Sequence, residues 1–276
     1  MKRFQIVNLA VLFASVMVLC SCGKDNDSPV VTKPRVIAHR GYWNTDGSAQ
    51  NSLRSLEKAA EIKAYGSEFD VHLTSDNVAV VFHDNKIDGL EIQKTPYAQL
   101  KDKKLSNGET LPTLQQYLEK AQQLKDIKLI FELKSHYNAQ RDIEAAQASV
   151  AMVKKMNLQD RTEYISFSLT AVKELHRLAP DAPVYYLNGD ISPKGLNAYG
   201  LSGLDYNYGV MQKHPEWFQE AKDLGLKVNV WTVNDVTLMT DMIKMGADFL
   251  TTDKPVEALH VADSVVVTQN VLHLQY

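Results

Sequence analysis

The chain has 276 residues, 45% of them hydrophobic, and its 30 basic and 33 acidic side chains leave a formal net charge of −3. This near balance is ordinary for a globular protein and excludes the strongly basic surface on which general nucleic-acid binding depends. The length is sufficient for one large α/β domain of about 250 residues with a substantial core.

The first 22 residues are predicted to be a secretory leader, because positive charge at Met1-Lys2-Arg3 is followed by an apolar run over residues 6–19. That run is shorter than the ~20 residues that a membrane-spanning helix needs. Both cysteines of the chain lie in this leader, so we expect the exported domain to contain no disulfide.

The end of the leader, LCSCG (19–23), resembles a bacterial lipobox, in which leucine stands three places before the acceptor cysteine. Cys22 fits that spacing, whereas Cys20 directly follows the bulky Leu19. The resemblance implies cleavage before Cys22, acylation of that residue and attachment to a bacterial membrane, on its periplasmic face or at the cell surface. The alternative is an ordinary signal peptide that ends nearby. Residues 23–34 are polar and contain proline, which indicates a flexible tether.

From residue 35 onward, short apolar strands alternate with amphipathic helices, a pattern typical of βα units around a parallel sheet. The predicted strands are residues 36–38, 68–73, 78–82, 128–134, 164–167, 184–187, 204–206, 227–233 and 248–250. A TIM-like (β/α)8 barrel contains eight strands, so one of these nine predicted strands is in excess. We therefore predict an α/β barrel over residues 35–262 with one irregular connection.

The irregular connection is predicted between the second and third strands, since the interval from Leu73 to Val78 is too short for a parallel crossover. A two-residue hairpin turn at positions 75–76 would place His83 beside Glu68. The pairing would gather histidines and carboxylates into one small volume.

Residues 85–112 follow the third strand without clean periodicity and contain two turn signals, which indicates a long insertion. Because it leaves from the His83-Asp84 end, we expect it to form a functional lid over the site; the alternative is a decoration without a function. Two later helices have clear start and stop signals, over residues 214–225 and 235–246. The C-terminal tail, residues 263–276, is predicted to add a strand without an assignable function.

The strand over residues 68–73 has one apolar and one ionisable face, because successive side chains point to opposite sides. Glu68, Asp70 and His72 share the ionisable face. A solvated surface strand would show the same alternation, so the rest of the chain has to decide between the two interpretations.

Two other strands end in charged groups. His39 and Arg40 follow the first predicted strand, and Glu132 and Lys134 occupy one face of the strand over residues 128–134. Barrel interiors are normally filled by branched apolar side chains, so charged groups at the carboxyl ends of strands indicate a reactive site.

Six segments, in order, resemble those of the glycerophosphodiester phosphodiesterase family, whose fold is a TIM-like barrel. They are IAHRGYW (37–43), QNSLRSLEKA (50–59), GSEFDVHLTSDNVAVVFHD (66–84), IFELKSH (130–136), VNVWTVND (228–235) and MGADFLTTDKP (245–255). The resemblance implies hydrolysis of a small-molecule substrate, a glycerophosphodiester, to glycerol 3-phosphate and an alcohol.

The resemblance also implies three groups of site residues. They are the general acid and base His39 and His83, the phosphate and glycerol contacts Arg40, Lys134 and Trp231, and the ligands of one divalent cation, Glu68, Asp70 and Glu132. The family usually has Glu-Asn-Thr where this chain has QNS (50–52). The neutral amide of Gln50 would either weaken metal binding or only change an orienting hydrogen bond.

The predicted carboxylate cluster needs a cation on physical grounds. Two carboxylates ~4 Å apart repel by about 4 kcal/mol at an effective dielectric constant of about 20. An all-oxygen ligand set without cysteine favours Ca²⁺ or Mg²⁺. If His39 or His83 were a ligand instead, zinc or manganese would become credible. Histidine side chains titrate near neutral pH, so one histidine can act as a base while the other acts as an acid.

Other polar residues have less specific expectations. His72 is expected to support the site or pack in the core, and His136 to line the rim. Asp205, with Asn207 and Tyr208, stands at a strand end, where it would contact substrate hydroxyls.

Two alternatives to a glycerophosphodiester phosphodiesterase are open. The first is a related phospholipase D-type or polyol-phosphodiester hydrolase. The second is a lipoprotein that has lost catalysis and only binds phosphorylated polyols, which Gln50 would suggest. The presence of both histidines and all three carboxylates argues against this binder.

Overall fold

The computed structural model describes residues 33–273, with side chains for residues 33–265. The predicted leader, the acceptor Cys22 and all but the end of the tether lie outside the described residues. Among the described residues, no helix combines the length and the apolar character that are needed to cross a bilayer.

The elements alternate along the chain as predicted. The strands are β1 (Arg35–Ala38), β2 (Gly66–Leu73), β3 (Ala79–Val81), β4 (Lys86–Ile87), β5 (Leu90–Glu91), β6 (Lys128–Leu133), β7 (Thr162–Ser166), β8 (Val184–Tyr186), β9 (Gly203–Asn207), β10 (Lys227–Trp231) and β11 (Phe249–Thr252). The helices are α1 (Leu53–Glu61), α2 (Tyr97–Leu100), α3 (Leu114–Gln123), α4 (Ala139–Lys155), α5 (Leu169–Leu178), α6 (Pro193–Ala198), α7 (Tyr208–Lys213), α8 (Glu216–Asp223), α9 (Val236–Met245) and α10 (Pro255–His273).

Eight parallel strands within residues 33–273 close into a barrel, in the order β1-β2-β6-β7-β8-β9-β10-β11. The barrel closes at β1, where Ile37 pairs with Gly66 of β2 on one side and with Thr251 of β11 on the other. The predicted TIM-like (β/α)8 fold is therefore confirmed. The two helices with predicted end signals form as α8 and α9, and Asp235 caps α9 by accepting a hydrogen bond from the amide of Leu238.

The ninth predicted strand, β3, lies outside the barrel and pairs antiparallel with β2, as predicted for the irregular connection. The predicted two-residue turn is wrong, because Val71 faces Val81 and the register is shifted by one position. The Thr74 hydroxyl accepts a hydrogen bond from the Val78 amide at 2.9 Å, and Asn77 has φ +66°, which together form a longer turn. The amide of Phe82 consequently bonds to the carbonyl of Asp70.

The insertion and the tail both contain regular structure. Residues 85–112 include the β4–β5 hairpin, a 3₁₀ helix over Ile92–Lys94 and α2. They share a small core with the outer side of β3, formed by Val80, Ile87, Ile92, Leu100 and Leu111. The predicted C-terminal strand is wrong over residues 263–273, which continue α10. Val-rich sequence suits a strand, but α10 begins at Pro255 and buries Ala258 and Ala262 against the core.

The barrel interior changes character along its axis. Part of it is filled by an apolar cluster of Ile37, Ile130, Ile165, Tyr185, Leu187 and Phe249. On β6, Glu132 follows Ile130 at the next inward position, and both are buried. Because side chains two residues apart point the same way, the interior turns from apolar to ionic over one step of β6.

The loop after β1 is sharply turned, with left-handed backbone at Arg40 (φ +55°) and Gly41 (φ +75°). The Gly41 amide donates to the carbonyl of Glu68 at 3.0 Å, which ties the loop to β2. A Cβ atom on Gly41 would lie 2.6 Å from the Cβ of Ser55 in α1. This close approach holds the loop at the mouth of the barrel.

We predict that Gly41→Ala destabilises the protein by more than Gly47→Ala, its matched control. Gly47 has a similar φ of +72° but no atom within 4 Å of its would-be Cβ, so only the backbone cost of about 1–2 kcal/mol applies there. Thermal unfolding of both variants measures the difference. Equal midpoints of the two variants would show that the contact with Ser55 does not require glycine at position 41.

Candidate active site

Three buried carboxylates converge at the carboxyl ends of two neighbouring strands. Glu68 and Asp70 lie on the inward face of β2, and Glu132 of β6 is level with Asp70 in the strand register. One oxygen from each of the three lies within 4.8 Å of the others. All three side chains are shielded from solvent, with residue exposures of 2%, 1% and 8%.

Basic and amide groups hold this carboxylate triad from one side. Lys134 Nζ lies 2.7 Å from Glu132 Oε1 and 3.2 Å from Asp70 Oδ1. Asn51 binds Asp70 twice, since its amide donates to Oδ2 at 2.8 Å and its Oδ1 accepts from the Asp70 backbone at 3.0 Å. Glu68 Oε2 accepts from the backbone amide of Arg40 at 2.7 Å. Its other oxygen, Oε1, has no hydrogen-bond partner among the described residues.

Burial and mutual repulsion determine how the triad titrates. Burial, with repulsion from Asp70, raises the pKa of Glu68 and raises that of Glu132 to about 7. Burial opposes ionisation of Asp70, but the positive charges of Lys134, His83 and Arg40 and the hydrogen bond from Asn51 together outweigh it and lower the pKa of Asp70 to about 2. The cation-free site therefore retains protons that an ordinary carboxylate would release.

These features fit a divalent cation. A buried carboxylate oxygen without a donor, next to two further carboxylates, is a set of hard oxygen ligands. Glu68, Asp70 and Glu132 are thus the residues that would hold the ion.

His39 forms a hydrogen-bonded pair with a residue to which the sequence analysis gave no role. Its Nδ1 lies 2.8 Å from Oδ1 of Asp253, which also accepts from Trp43 Nε1 at 3.0 Å and, through Oδ2, from Asn234 at 2.7 Å. Burial opposes ionisation of Asp253, but these bonds, led by that of His39, lower its pKa to about 2. Because an ionised carboxylate only accepts hydrogen bonds, His39 must donate through Nδ1. Its Nε2 is then left to act on a ligand.

His83 follows β3 and faces the same cavity as His39. Its Nδ1 lies 2.7 Å from Oδ1 of Asp84, a largely exposed side chain. Burial lowers the pKa of His83, and the attraction of Asp70 only partly offsets this. The two histidines thus have unequal surroundings, one with a half-buried carboxylate and one with an exposed carboxylate.

Gln50 contacts Arg40 rather than the triad. Its Oε1 accepts from Arg40 Nη1 at 2.7 Å, while Arg40 Nε lies 3.8 Å from Asp70 Oδ2. Of the two consequences considered for the neutral amide, this geometry favours an orienting hydrogen bond over a metal ligand.

His72 and His136 lie behind the site. Burial lowers the pKa of His72 to about 4, so its ring is neutral at pH 7. Gln93 lies 3.1 Å from His72 Nδ1, and His72 Nε2 lies 3.3 Å from the carbonyl of His83. His136 Nε2 accepts from the amide of Leu73 at 3.0 Å, and its ring lines a separate recess beside the insertion. Both rings support strand ends rather than face the central cavity.

A cavity of about 100 Å³ joins these groups. Its walls are His39, Arg40, Glu68, His83, Glu132, Lys134, Ile165, Phe167, Leu187, Asp205, Trp231, Thr232 and Thr251. Trp231 packs edge-on against Phe167 and donates from Nε1 to the carbonyl of Asp205 at 2.9 Å. Asn207 is absent from these walls and instead caps α7.

Asp253 was missed because nothing local distinguishes it. It lies 214 residues from His39 in sequence, in the segment that follows the last barrel strand. The available signal was its position, since a carboxylate directly after a barrel strand is at the same rim as the other site residues.

A parallel (β/α)8 barrel with acidic, basic and imidazole groups around one mouth defines a TIM-barrel enzyme with a site for an anionic substrate. A family model described as the Glycerophosphoryl diester phosphodiesterase family matches residues 39–257. The chain belongs to this family, and the predicted membership is confirmed.

Individual relatives agree with the family match. The glycerophosphodiester phosphodiesterase of Caldanaerobacter subterraneus subsp. tengcongensis is 30% identical over 241 residues, which cover 81% of this chain and 95% of that protein. A solved glycerophosphodiester phosphodiesterase from Parabacteroides distasonis is 59% identical, with a TM-score of 0.83 and coverage of 84% and 98%. A phosphodiesterase from Oleispira antarctica, solved with the product sn-glycerol-3-phosphate, is 29% identical, with a TM-score of 0.71 and coverage of 83% and 97%.

We predict that Mg²⁺ or Ca²⁺ raises the thermal midpoint more at pH 8 than at pH 6. In the cation-free folded protein the pKa of Glu132 is about 7, above its ordinary 4.5, so stability falls as pH rises through this window and a cation offsets the loss. A cation must displace that proton at pH 6, which lowers its affinity roughly tenfold between pH 8 and pH 6. Calorimetric titration measures this. Glu132→Gln should abolish the pH dependence from this group, and a wild-type affinity independent of pH would contradict the assignment.

Proposed function

We propose that this chain hydrolyses glycerophosphodiesters to sn-glycerol 3-phosphate and an alcohol, with a divalent cation, Mg²⁺ or Ca²⁺, held by Glu68, Asp70 and Glu132. The observation that carries the proposal is the convergence of this triad with two histidines around one cavity. The product complex of the Oleispira antarctica relative supports the choice of substrate.

A bound divalent cation supplies a positive charge for the phosphoryl oxygens and for the developing negative charge of the reaction. Arg40 and Lys134 add fixed positive charges on the same wall of the cavity. Their positions relative to Asp70 are held by ion pairs, so they do not have to reorganise when the substrate arrives.

His39 is proposed to act as the general base. Asp253 holds its Nδ1 as a hydrogen-bond donor, so Nε2 carries the free lone pair. The same carboxylate stabilises the imidazolium that forms when Nε2 accepts a proton. The proton comes from the attacking oxygen, which is either water or the 2-hydroxyl of the glycerol. In the second case the alcohol leaves a cyclic phosphate, which a water molecule then opens to sn-glycerol 3-phosphate.

His83 is proposed to act as the general acid, which protonates the departing alcohol. Burial, which lowers its pKa, makes its imidazolium the stronger proton donor. Its side chain is 35% exposed, against 19% for His39, and it lies next to the exposed Asp84, so an alcohol protonated there has a route to solvent.

The alternatives predict different products. A phospholipase D-type or polyol-phosphodiester hydrolase would use the same groups on another substrate. A silent binder would hold a phosphorylated polyol without turnover, but the intact His39–Asp253 pair favours catalysis.

We also propose export and a lipid anchor at Cys22, as the leader sequence indicates; membrane fractionation of the expressed protein tests this.

We predict that the protein releases sn-glycerol 3-phosphate from glycerophosphocholine with Mg²⁺ or Ca²⁺ and releases none with EDTA. His39→Ala and His83→Ala should each lower kcat by about 10²–10⁴-fold, because each removes one proton-transfer group. An enzymatic assay of sn-glycerol 3-phosphate measures both effects, and unchanged thermal midpoints control for folding. Saturable binding without product would favour the silent binder, and full activity of His83→Ala would remove that assignment.

A second prediction concerns Asp253 as a positioning residue. Asp253→Asn should lower kcat by about 10²-fold, because the amide cannot hold the His39 tautomer or stabilise its cation. The KM and the affinity for the cation should stay near those of the wild type, which a general loss of structure would not produce. Asp84→Asn is the matched control, and its effect should be only a few-fold, because an exposed pair contributes little. Equal losses in the two variants would contradict this role.

A further inference from the structure

The central cavity has two unlike parts. The part described above is ionic and contains both histidines, the triad and its two basic neighbours. The other part is walled by the apolar side chains of Ile165, Phe167, Leu187 and Trp231. Among the described residues that line this second part, Asp205 is the ionisable one.

Asp205 is held firmly in this apolar part. It lies on β9 and is 2% exposed. Asn229 is level with it in the β9–β10 register, and the Asn229 side chain favours the ionised form of the carboxyl group without offsetting burial. The backbone carbonyl of Asp205 accepts from Trp231 Nε1 at 2.9 Å, which ties the indole ring to β9 at this residue.

One oxygen of this carboxyl group has no partner. Oδ1 of Asp205 is buried and accepts no hydrogen bond from any donor that the structure describes. Buried polar atoms are nearly always paired in folded proteins, and an unpaired one is costly. Burial also raises the pKa of Asp205 to about 8, so the group is mostly a neutral acid at pH 7, able to donate as well as accept.

We propose that Asp205 binds the free terminal hydroxyl of the substrate's glycerol moiety and thereby selects for unacylated glycerol. This inference rests on the proposed function. The glycerol carbon atoms would pack against Trp231 and Phe167, while the hydroxyl satisfies Oδ1. A cavity of about 100 Å³ suits this small polar group better than an acyl chain.

The proposal separates the substrate classes that the motifs leave open. In a lysophospholipid the terminal hydroxyl is esterified, so it has no proton to donate and carries a long chain. A site built to bind a hydroxyl discriminates strongly against an analogue that leaves its polar group unpaired. Glycerophosphodiesters are therefore the expected substrates, and acylated phosphodiesters are expected to be poor ones.

The test compares binding of sn-glycerol 3-phosphate with that of its 1-deoxy analogue, 2-hydroxypropyl phosphate, in the presence of Mg²⁺. The wild type should bind sn-glycerol 3-phosphate about 10- to 100-fold more tightly than the analogue. Asp205→Leu, which has a similar shape, should bind the two ligands equally. Asp205→Asn, which keeps a hydrogen-bonding amide, should retain most of the discrimination.

Two controls accompany the test. Inorganic phosphate should bind the wild type and Asp205→Leu equally, because it reaches only the ionic part of the cavity. Glu163→Gln alters another buried acid, which accepts from the Tyr65 hydroxyl and does not line the cavity, so it should keep the wild-type discrimination.

The proposal is overturned if the wild type does not discriminate between the two ligands, or if Asp205→Leu keeps the wild-type ratio. If Asp205→Leu fails to fold, a wild type that does not discriminate between the two ligands still overturns the proposal. Binding also separates this inference from the proposed function. A protein that discriminates through Asp205 but releases no sn-glycerol 3-phosphate from glycerophosphocholine would refute hydrolysis and support the hydroxyl contact.

Discussion

Repulsion among three buried carboxylates is the constraint on which the rest of the site depends. Glu68, Asp70 and Glu132 present oxygens within 4.8 Å of one another, and all three side chains are shielded from bulk solvent. Burial and repulsion raise the pKa of two of them, whereas Asp70 stays ionised because Lys134 and the other positive and donor groups around it together outweigh burial. The site can therefore be complete only when positive charge, either protons or a cation, occupies the space between these oxygens.

The barrel makes such a cluster possible because the side chains inside one end pack the core and those inside the other end form the site. The apolar side chains around Ile130 fill part of the interior and supply packing. At the carboxyl ends the strands diverge into loops, so the inward positions at Asp70 and Glu132 are buried without being needed for the core. Parallel registration sets these two residues level, and the β3 hairpin and the turn at Arg40 bring the histidines to the same mouth.

The sequence was sufficient for the parts of this architecture that depend on periodicity and on motifs. Alternation along β2 predicted which side chains share a face, and the six family segments predicted the barrel. The predicted turn after β2 was wrong by one position of register. The hydroxyl of Thr74 stabilises a longer turn than the two-residue turn that the short interval between the strands suggested. The prediction for the tail was wrong because Val-rich sequence favours a strand, whereas α10 packs Ala258 and Ala262 on the core and continues as a helix. Asp253 could not be paired with His39 without the closure of the barrel, which brings the first strand, β1, beside the last strand, β11.

Charge also explains why a neutral residue at position 50 is compatible with the proposed chemistry. Three ionised carboxylates against Arg40 and Lys134 leave the site at −1, and a divalent cation brings it to +1. A phosphodiester carries −1, so the loaded site neutralises its substrate. A glutamate in place of Gln50 would pair with Arg40 and remove that excess positive charge. The amide keeps the orienting hydrogen bond at 2.7 Å and leaves the guanidinium charge available to the phosphate.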